Sequence, residues 1–270
     1  MLDLGNLTAS DDPVKKWKVD ELSVLVYESP ELMVKNVALS VQKYLQQCLI
    51  KQDTATVILA TGNSQIKFLE NLIKLGGLDW SKIVCFHLDE FLGISAQHPG
   101  SFRKYLQERV EKKVNLKAFH YLQGDTWEPI SECDRYTQLL QAQPIDLCCL
   151  GIGENGHIAF NEPEVAQVND PRWVKIVKLA ETTVKQQVNG IYFSSIETVP
   201  NYAFTLTLPA ICQSRKIVCL AAGKSKSSLI KSVLQNPRDL KFPASILRTQ
   251  PQATLFIDQE AANYLYQPIL

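Results

Sequence analysis

Residues 145–163 read IDLCCL followed by GIGENGHIAFNEP, and this stretch decides the architecture. Ile145 to Leu150 is a predominantly apolar run of strand length, the pattern of a strand covered on both faces. At its carboxyl end come Gly151, Gly153 and Gly156, then a His, an Asn and a Glu within a few residues. In an open α/β sheet, ligands bind in the crevice outside the carboxyl ends of the strands. Glycine lets the backbone turn sharply there and approach a ligand closely. Glu154, Asn155, His157, Asn161 and Glu162 would then bring proton-transfer groups to that crevice. The competing reading is a glycine turn with Asn155 or Asn161 capping a helix and His157 satisfied in the core. The combination of buried strand, glycines, His and downstream carboxylate favours a site.

Working outward, apolar runs of the same kind recur: Leu22 to Tyr27, Thr56 to Ala60, Ile83 to Leu88, Lys216 to Ala221 and Ala253 to Ile257. Helical spacing separates them. Ser29-Pro30 caps and opens a helix reaching about Ile50, with Val34, Val37, Ala38, Val41, Leu45 and Leu49 on one face. Further helices are expected after Ser64, from Pro99, over Pro129 to Leu140, over Thr182 to Val188 and over Ser225 to Leu234. Trp173 to Leu179 and Ala203 to Leu208 read as strands, and a shorter strand falls near Ala118 to Tyr121. This alternation predicts an α/β fold with a mostly parallel, doubly wound, Rossmann-like sheet and helices on both faces. Residues 1–19, polar and rich in Asp, are expected to be an N-terminal arm, and residues 20–270 one domain.

Composition narrows the function classes. The 270 residues hold 28 Lys plus Arg and 28 Asp plus Glu, a formal net charge of zero. No basic surface for nucleic acid or anionic membrane is indicated. No run is long enough to span a membrane, and residues 1–17 have no signal-peptide core. The seven cysteines are scattered, several of them inside apolar strand-like runs, as reduced core thiols of a cytoplasmic protein are. Four dispersed histidines and no C-x-x-C predict no metal site.

Three other strand ends carry polar groups. Thr61-Gly62-Asn63-Ser64 lies between a buried strand and a helix, where free N–H groups and the helix dipole make a phosphate cradle. Alone, it reads equally as an ordinary cap. Asp89-Glu90 follows a buried strand, and a carboxylate enclosed in a cleft can act as a base near neutral pH. The alternative has Asp89 capping a turn and Glu90 in solvent. Gly223-Lys224-Ser225-Lys226 puts two lysines at a helix start, unfavourable to its dipole unless an anion binds there; solvated lysines are the alternative.

With LDEF at 88–91, HPGSF at 98–102 and GIGENGHIAFNEP at 151–163 in order, the chain resembles the glucosamine-6-phosphate deaminase (isomerase) family. The related 6-phosphogluconolactonases usually continue Asp-Glu with Arg and Gly-His with Thr-Ala-Ser. Phe91 and Ile158-Ala159-Phe160-Asn161-Glu162 point to the deaminase branch. The resemblance implies conversion of glucosamine 6-phosphate and water to fructose 6-phosphate and ammonia, with no cofactor or metal. It implies Asp89 as the base at C2, His157 as the ring-opening group, and Glu162 with Asn155 tuning His157. It also implies Thr61, Gly62, Asn63, Ser64 and Lys226 around the phosphate. Two departures stand out. Asn155 occupies a position that is often Asp, so it can hydrogen-bond but adds no charge. Residues 183–193, TVKQQVNGIYF, lack the family's phosphate-clamping Arg, leaving Lys185 as a point charge in its place. A phosphosugar lactonase and a non-catalytic phosphosugar sensor are the rival readings. A homo-oligomer and allosteric control are left open.

Overall fold

The computed structural model describes residues 12–188 and 192–266. In chain order the strands are β1 (Lys15–Val19), β2 (Leu22–Tyr27), β3 (Ala55–Leu59), β4 (Ile83–His87), β5 (Asp89–Phe91), β6 (Ala118–Phe119), β7 (Leu147–Gly151), β8 (Val174–Lys178), β9 (Tyr202–Leu206), β10 (Ile217–Ala221) and β11 (Ala253–Asp258). The α-helices are α1 (Pro30–Lys51), α2 (Asn63–Lys74), α3 (Phe102–Leu106), α4 (Pro129–Gln141), α5 (Glu181–Val188), α6 (Leu208–Cys212), α7 (Ser227–Gln235) and α8 (Gln259–Ala262).

Eight strands form the main sheet in the order β1-β2-β11-β10-β7-β3-β4-β6. Every pairing in it is parallel except β1 with β2. The unbroken apolar runs belong to the strands that are covered on both faces, since β3, β4 and β10 are buried at every position. Alternate residues feed two cores. Leu22, Val24, Cys148, Leu150, Ile217 and Cys219 join a cluster with α4 and α7. Leu147, Cys149, Val218 and Leu220 join one with α1 and α2 on the other face. Truncating a core residue such as Leu150 would cost about 2–5 kcal/mol. All seven cysteines are free, five of them buried.

From β3 the chain winds outward through β4 to β6, and from β7 it winds the opposite way through β10 to β11. The order therefore reverses between β3 and β7, and the crevice opens at their carboxyl ends.

Two elements differ from expectation. Residues 15–19, expected within a loose arm, form the edge strand β1, with Lys15 opposite Val26 and Val19 opposite Leu22. The alternation of KKWKV explains it: Trp17 and Val19 pack on the core while the lysines stay in solvent and guard the sheet edge. Residues 1–11 of the expected arm lie outside the described residues. Second, β8 and β9 do not extend the main sheet. They pair antiparallel with each other and with β5 in a separate three-stranded sheet, order β5-β9-β8. The chain leaves β4 at His87, and Leu88 O accepts from Leu206 N at 2.8 Å, so Asp89-Glu90-Phe91 continues as a strand of the small sheet.

Candidate active site

No helix follows the glycine turn after β7. Gly153 N donates to His157 O at 2.9 Å, and Gly156, at φ 87°, donates to Gly153 O at 3.2 Å. A Cβ on Gly153 would stand 2.1 Å from His157 Nε2, so the imidazole lies directly against a bare Cα. Ala159 takes φ 50° in the tight reversal that bridges Ile158 to Asn161. Asn161 is fully buried and donates to Ile158 O at 3.0 Å and Leu206 O at 2.7 Å. Neither Asn155 nor Asn161 caps a helix; Asn161 pins the loop to β9.

Asn155 stands between His157 and Glu162. Its Oδ1 lies 2.7 Å from His157 Nδ1 and accepts from His157 N at 3.2 Å, while its Nδ2 donates to Glu162 Oε2 at 2.5 Å. Glu162 Oε2 is also 3.3 Å from His157 Nδ1. Because Glu162 takes the amide's donor side, Oδ1 faces the imidazole and the proton belongs on Nδ1. Nε2 is left as the exchangeable nitrogen. Burial pushes the Glu162 carboxyl up, but contacts with His157, Asn155 and Thr183 outweigh it and the net shift is downward. Thr183, buried on α5, is a site residue the sequence reading missed. A short polar residue on a helix whose neighbour Val184 is in the core was the only signal.

Asp89 and Glu90 take opposite faces of β5, as neighbours on a strand must. Glu90 is fully buried and accepts from Phe91 N, Ser101 Oγ, Phe102 N and Arg103 N at 2.7–3.1 Å. Arg103 Nε is 3.4 Å away, and that guanidinium also reaches Ile94 O and Asp125. Burial still leaves Glu90 raised above the usual carboxylate range against those donors. Glu90 thus anchors the HPGSF loop and the start of α3, where the sequence had allowed it to be solvated. Asp89, 7% exposed, has no hydrogen bond or ion pair to its carboxylate among the described residues. Burial, then the charge of Glu90, raises it well above the usual carboxylate range. Asp89 pairs with Thr205 of β9, and Thr205 Oγ1 accepts from Phe160 N at 3.0 Å, so β9 joins Asp89 to the His157 loop.

Across the crevice, Gly62 caps α2 at φ 100° without a side-chain cap, and Gly62 and Asn63 are exposed. The N–H groups of Asn63 and Ser64 in the first turn of α2 are therefore open to an anion, while Gln65 N donates to Gly62 O at 3.1 Å. Tyr105 OH donates to Gly62 O at 2.9 Å. A Cβ on Gly151 would stand 3.2 Å from Ser64 Oγ, so the turn abuts the end of β7. From the other side Lys226 donates from Nζ to Ile152 O at 2.8 Å; burial lowers its pKa and Glu154 opposes that. Lys224 is exposed, so of the two lysines only Lys226 turns inward. Its turn is held by Asp258, whose Oδ1 accepts from Gly223 N at 3.0 Å. Lys185 is exposed on α5, 2.6 Å from Glu181 one helical turn earlier, and makes no contact with Thr61–Ser64 or Lys226 among the described residues.

Asn155, His157 and Glu162 thus form one connected group, β9 ties Asp89 to their loop, and the Thr61–Ser64 turn and Lys226 each approach the carboxyl end of β7. Such an arrangement can exchange protons at a polar substrate and hold an anionic group. Among the described residues no three His, Cys, Asp or Glu side chains are grouped as metal ligands, and no helix is long and apolar enough to cross a membrane.

Residues 28–256 match the family described as Glucosamine-6-phosphate isomerases/6-phosphogluconolactonase. The chain is 36% identical over 205 residues to a glucosamine-6-phosphate deaminase of an Exiguobacterium species, covering 76% of this chain and 78% of that one. It is 35% identical over 251 residues to that of Thermoanaerobacter pseudethanolicus, covering 90% and 95%. A monomeric glucosamine-6-phosphate deaminase of known structure superposes with a TM-score of 0.82 at 31% identity, over 89% of this chain and 98% of that one. The 6-phosphogluconolactonase of Thermotoga maritima, at 21% identity and TM-score 0.71, covers 87% of this chain and 98% of its own and shares the fold.

Proposed function

The chain belongs to the glucosamine-6-phosphate isomerase/6-phosphogluconolactonase family, and on that premise we propose that it is a glucosamine-6-phosphate deaminase. It converts glucosamine 6-phosphate and water to fructose 6-phosphate and ammonia. The observation that carries the assignment of roles is Asp89: a buried carboxylate with no partner of its own among the described residues, on a strand that β9 ties to the loop of an imidazole whose tautomer is set.

The phosphate sits on the α2 N-terminus, with Ser64 and Thr61 hydroxyls and the Lys226 ammonium around it. His157 Nε2 exchanges a proton with the ring oxygen, and the ring C1–O bond breaks to give the open-chain aldehyde. Asn155 keeps Nδ1 protonated throughout, and Glu162 balances the charge when Nε2 is protonated. Asp89 then removes the C2 proton. The electron pair moves into a C1–C2 double bond and the carbonyl oxygen gains a proton, giving an enolamine. Asp89 returns its proton to C1, and the resulting C2 imine is hydrolysed by water to the ketone and ammonia.

A base must be ionised to act, and its raised pKa brings proton uptake and release closer together in energy than for an ordinary Asp. The acid limb of the rate profile therefore follows Asp89. All of these groups come from one chain. Seven free thiols support a reducing, cytoplasmic setting.

The test is ammonia and fructose 6-phosphate formation from glucosamine 6-phosphate in a coupled assay. Stoichiometric release of both supports the reading. Hydrolysis of a phosphogluconolactone without ammonia release from the amino sugar would replace it with the lactonase reaction.

A further inference from the structure

A phosphate ester carries two negative charges near neutral pH, and the crevice described so far answers them with a single ammonium, Lys226. That ammonium already donates to Ile152 O and has Glu154 nearby. Lys185 is engaged with Glu181. Another cation stands beside the cradle. Arg109 lies in the π-helical turn Gln107–Glu111 that continues α3, an irregularity often found at functional sites. Its guanidinium carbon is 4.1 Å from the centre of the Tyr105 ring, and Tyr105 is the residue whose hydroxyl holds Gly62 O. Helical side chains lean toward the N-terminus of their helix, which carries Arg109 back over Tyr105, one turn earlier, whose hydroxyl meets the Gly62 turn. Arg109 is half-buried and forms no ion pair or hydrogen bond among the described residues. Glu70 acts electrostatically on Tyr105 and Glu108 on Arg109, but neither forms an ion pair with Arg109, and Glu108 pairs with Lys104 at 3.1 Å.

We propose that Arg109, supported on the Tyr105 ring, is a second cation for the substrate's phosphate. A guanidinium stacked on an aromatic face keeps its edge N–H donors free and has shed part of its hydration, the state in which it binds phosphate well. Tyr105 would tie that cation to the cradle, fixing Gly62 with its hydroxyl and Arg109 with its ring. The identity of the sugar ester rests on the deaminase reading; the affinity for phosphate does not.

The experiment compares wild type, Arg109→Gln, Arg109→Lys and Lys185→Gln in two assays. The first is steady-state turnover of glucosamine 6-phosphate. The second is the rise in melting temperature produced by inorganic phosphate, which needs no catalysis. Arg109→Gln is expected to raise KM on the order of tenfold or more, the weight of one charge-assisted contact, with a smaller change in kcat. It is also expected to abolish most of the phosphate-induced rise, with Arg109→Lys recovering part of both and Lys185→Gln changing neither greatly. If Arg109→Gln melts lower without phosphate but keeps the full phosphate-induced rise, Arg109 is only structural and the proposal fails. It fails too if Lys185→Gln, and not Arg109→Gln, removes the rise. Should wild type release no ammonia, the deaminase reading falls, and the phosphate-induced rise still decides the role of Arg109.

Discussion

The two faces of β5 carry neighbouring carboxylates in opposite circumstances. On one, Glu90 is surrounded by backbone and side-chain donors and by the Arg103 guanidinium, and all but the Phe91 N–H tie it to Ser101 and the start of α3. On the other, Asp89 is almost as buried and has no donor among the described residues. Burial is the largest cause raising both groups, and the charge of Glu90 adds to it at Asp89. What separates them is satisfaction: a carboxylate with its lone pairs engaged holds structure together, while one left free can take a proton from a substrate. The same contrast recurs after β7, where Asn161 is pinned to β9 and His157 keeps Nε2 open.

The largest expected effect breaks this contrast at Asp89. Asp89→Asn should lower kcat by about 10²–10⁴-fold, the range for loss of a general base. It should also stabilise the protein at neutral pH. The sign follows from linkage: a carboxyl whose folded pKa is raised binds its proton more tightly folded than unfolded, so its contribution to stability falls as pH rises from about 3.9 toward the folded value. Each unit of elevation is worth about 1.4 kcal/mol. Urea unfolding should therefore show Asp89→Asn more stable than wild type at pH 7 and the difference gone below about pH 4. Destabilisation at pH 7 would mean that Asp89 has a structural partner after all.

Next comes Gly153→Ala. The added methyl would occupy the position of the His157 ring, 2.1–2.4 Å from its atoms. Moving the imidazole should cost on the order of 10²-fold in kcat, measured in the coupled assay, with both carboxylates of β5 untouched.

Glu90→Gln sharpens the comparison from the structural side. It removes the charge that helps raise Asp89, so the acid limb of the kcat/KM profile should move to lower pH. It also weakens the bonds to Ser101 and Arg103, at about 1–3 kcal/mol, since Arg103 keeps Asp125 as a counter-charge at 2.9 Å. Stability loss with an unmoved acid limb would show that Glu90 does not influence the base.

Lys185→Ala, at an exposed ion pair, should change KM less than about threefold and leave melting nearly unaltered, since exposed pairs contribute little. A larger rise in KM would place Lys185 at the phosphate.

Much of this was legible in residues. The runs TVILA, IVCFHL, IDLCCL and KIVCLA are strands covered on both faces, and the polar groups that end them meet because parallel strands put their carboxyl ends on one edge. The small sheet was not legible. WVKIVKL and AFTLTL alternate as any strand does, and nothing in them states that they pair with three residues of LDEF. Nor could the order Asp89-Glu90 say which carboxylate would find donors; that depends on Ser101 and Arg103, more than ten residues later. Arg109 was passed over for a similar reason, since only the packing of α3 against the Gly62 turn brings it near the crevice. The short strand KKWKV was masked by its lysines, which are exposed on an edge.

The most direct measurement is turnover of glucosamine 6-phosphate in deuterium oxide, with the product's C1 hydrogens followed by NMR. Asp89 is predicted to carry the proton from C2 to C1 while exchanging with solvent. Wild type should therefore place solvent deuterium at C1 of fructose 6-phosphate, and Asp89→Asn should form no labelled product on the same timescale. Labelled product from Asp89→Asn at close to the wild-type rate would contradict the account and move the base elsewhere in the crevice.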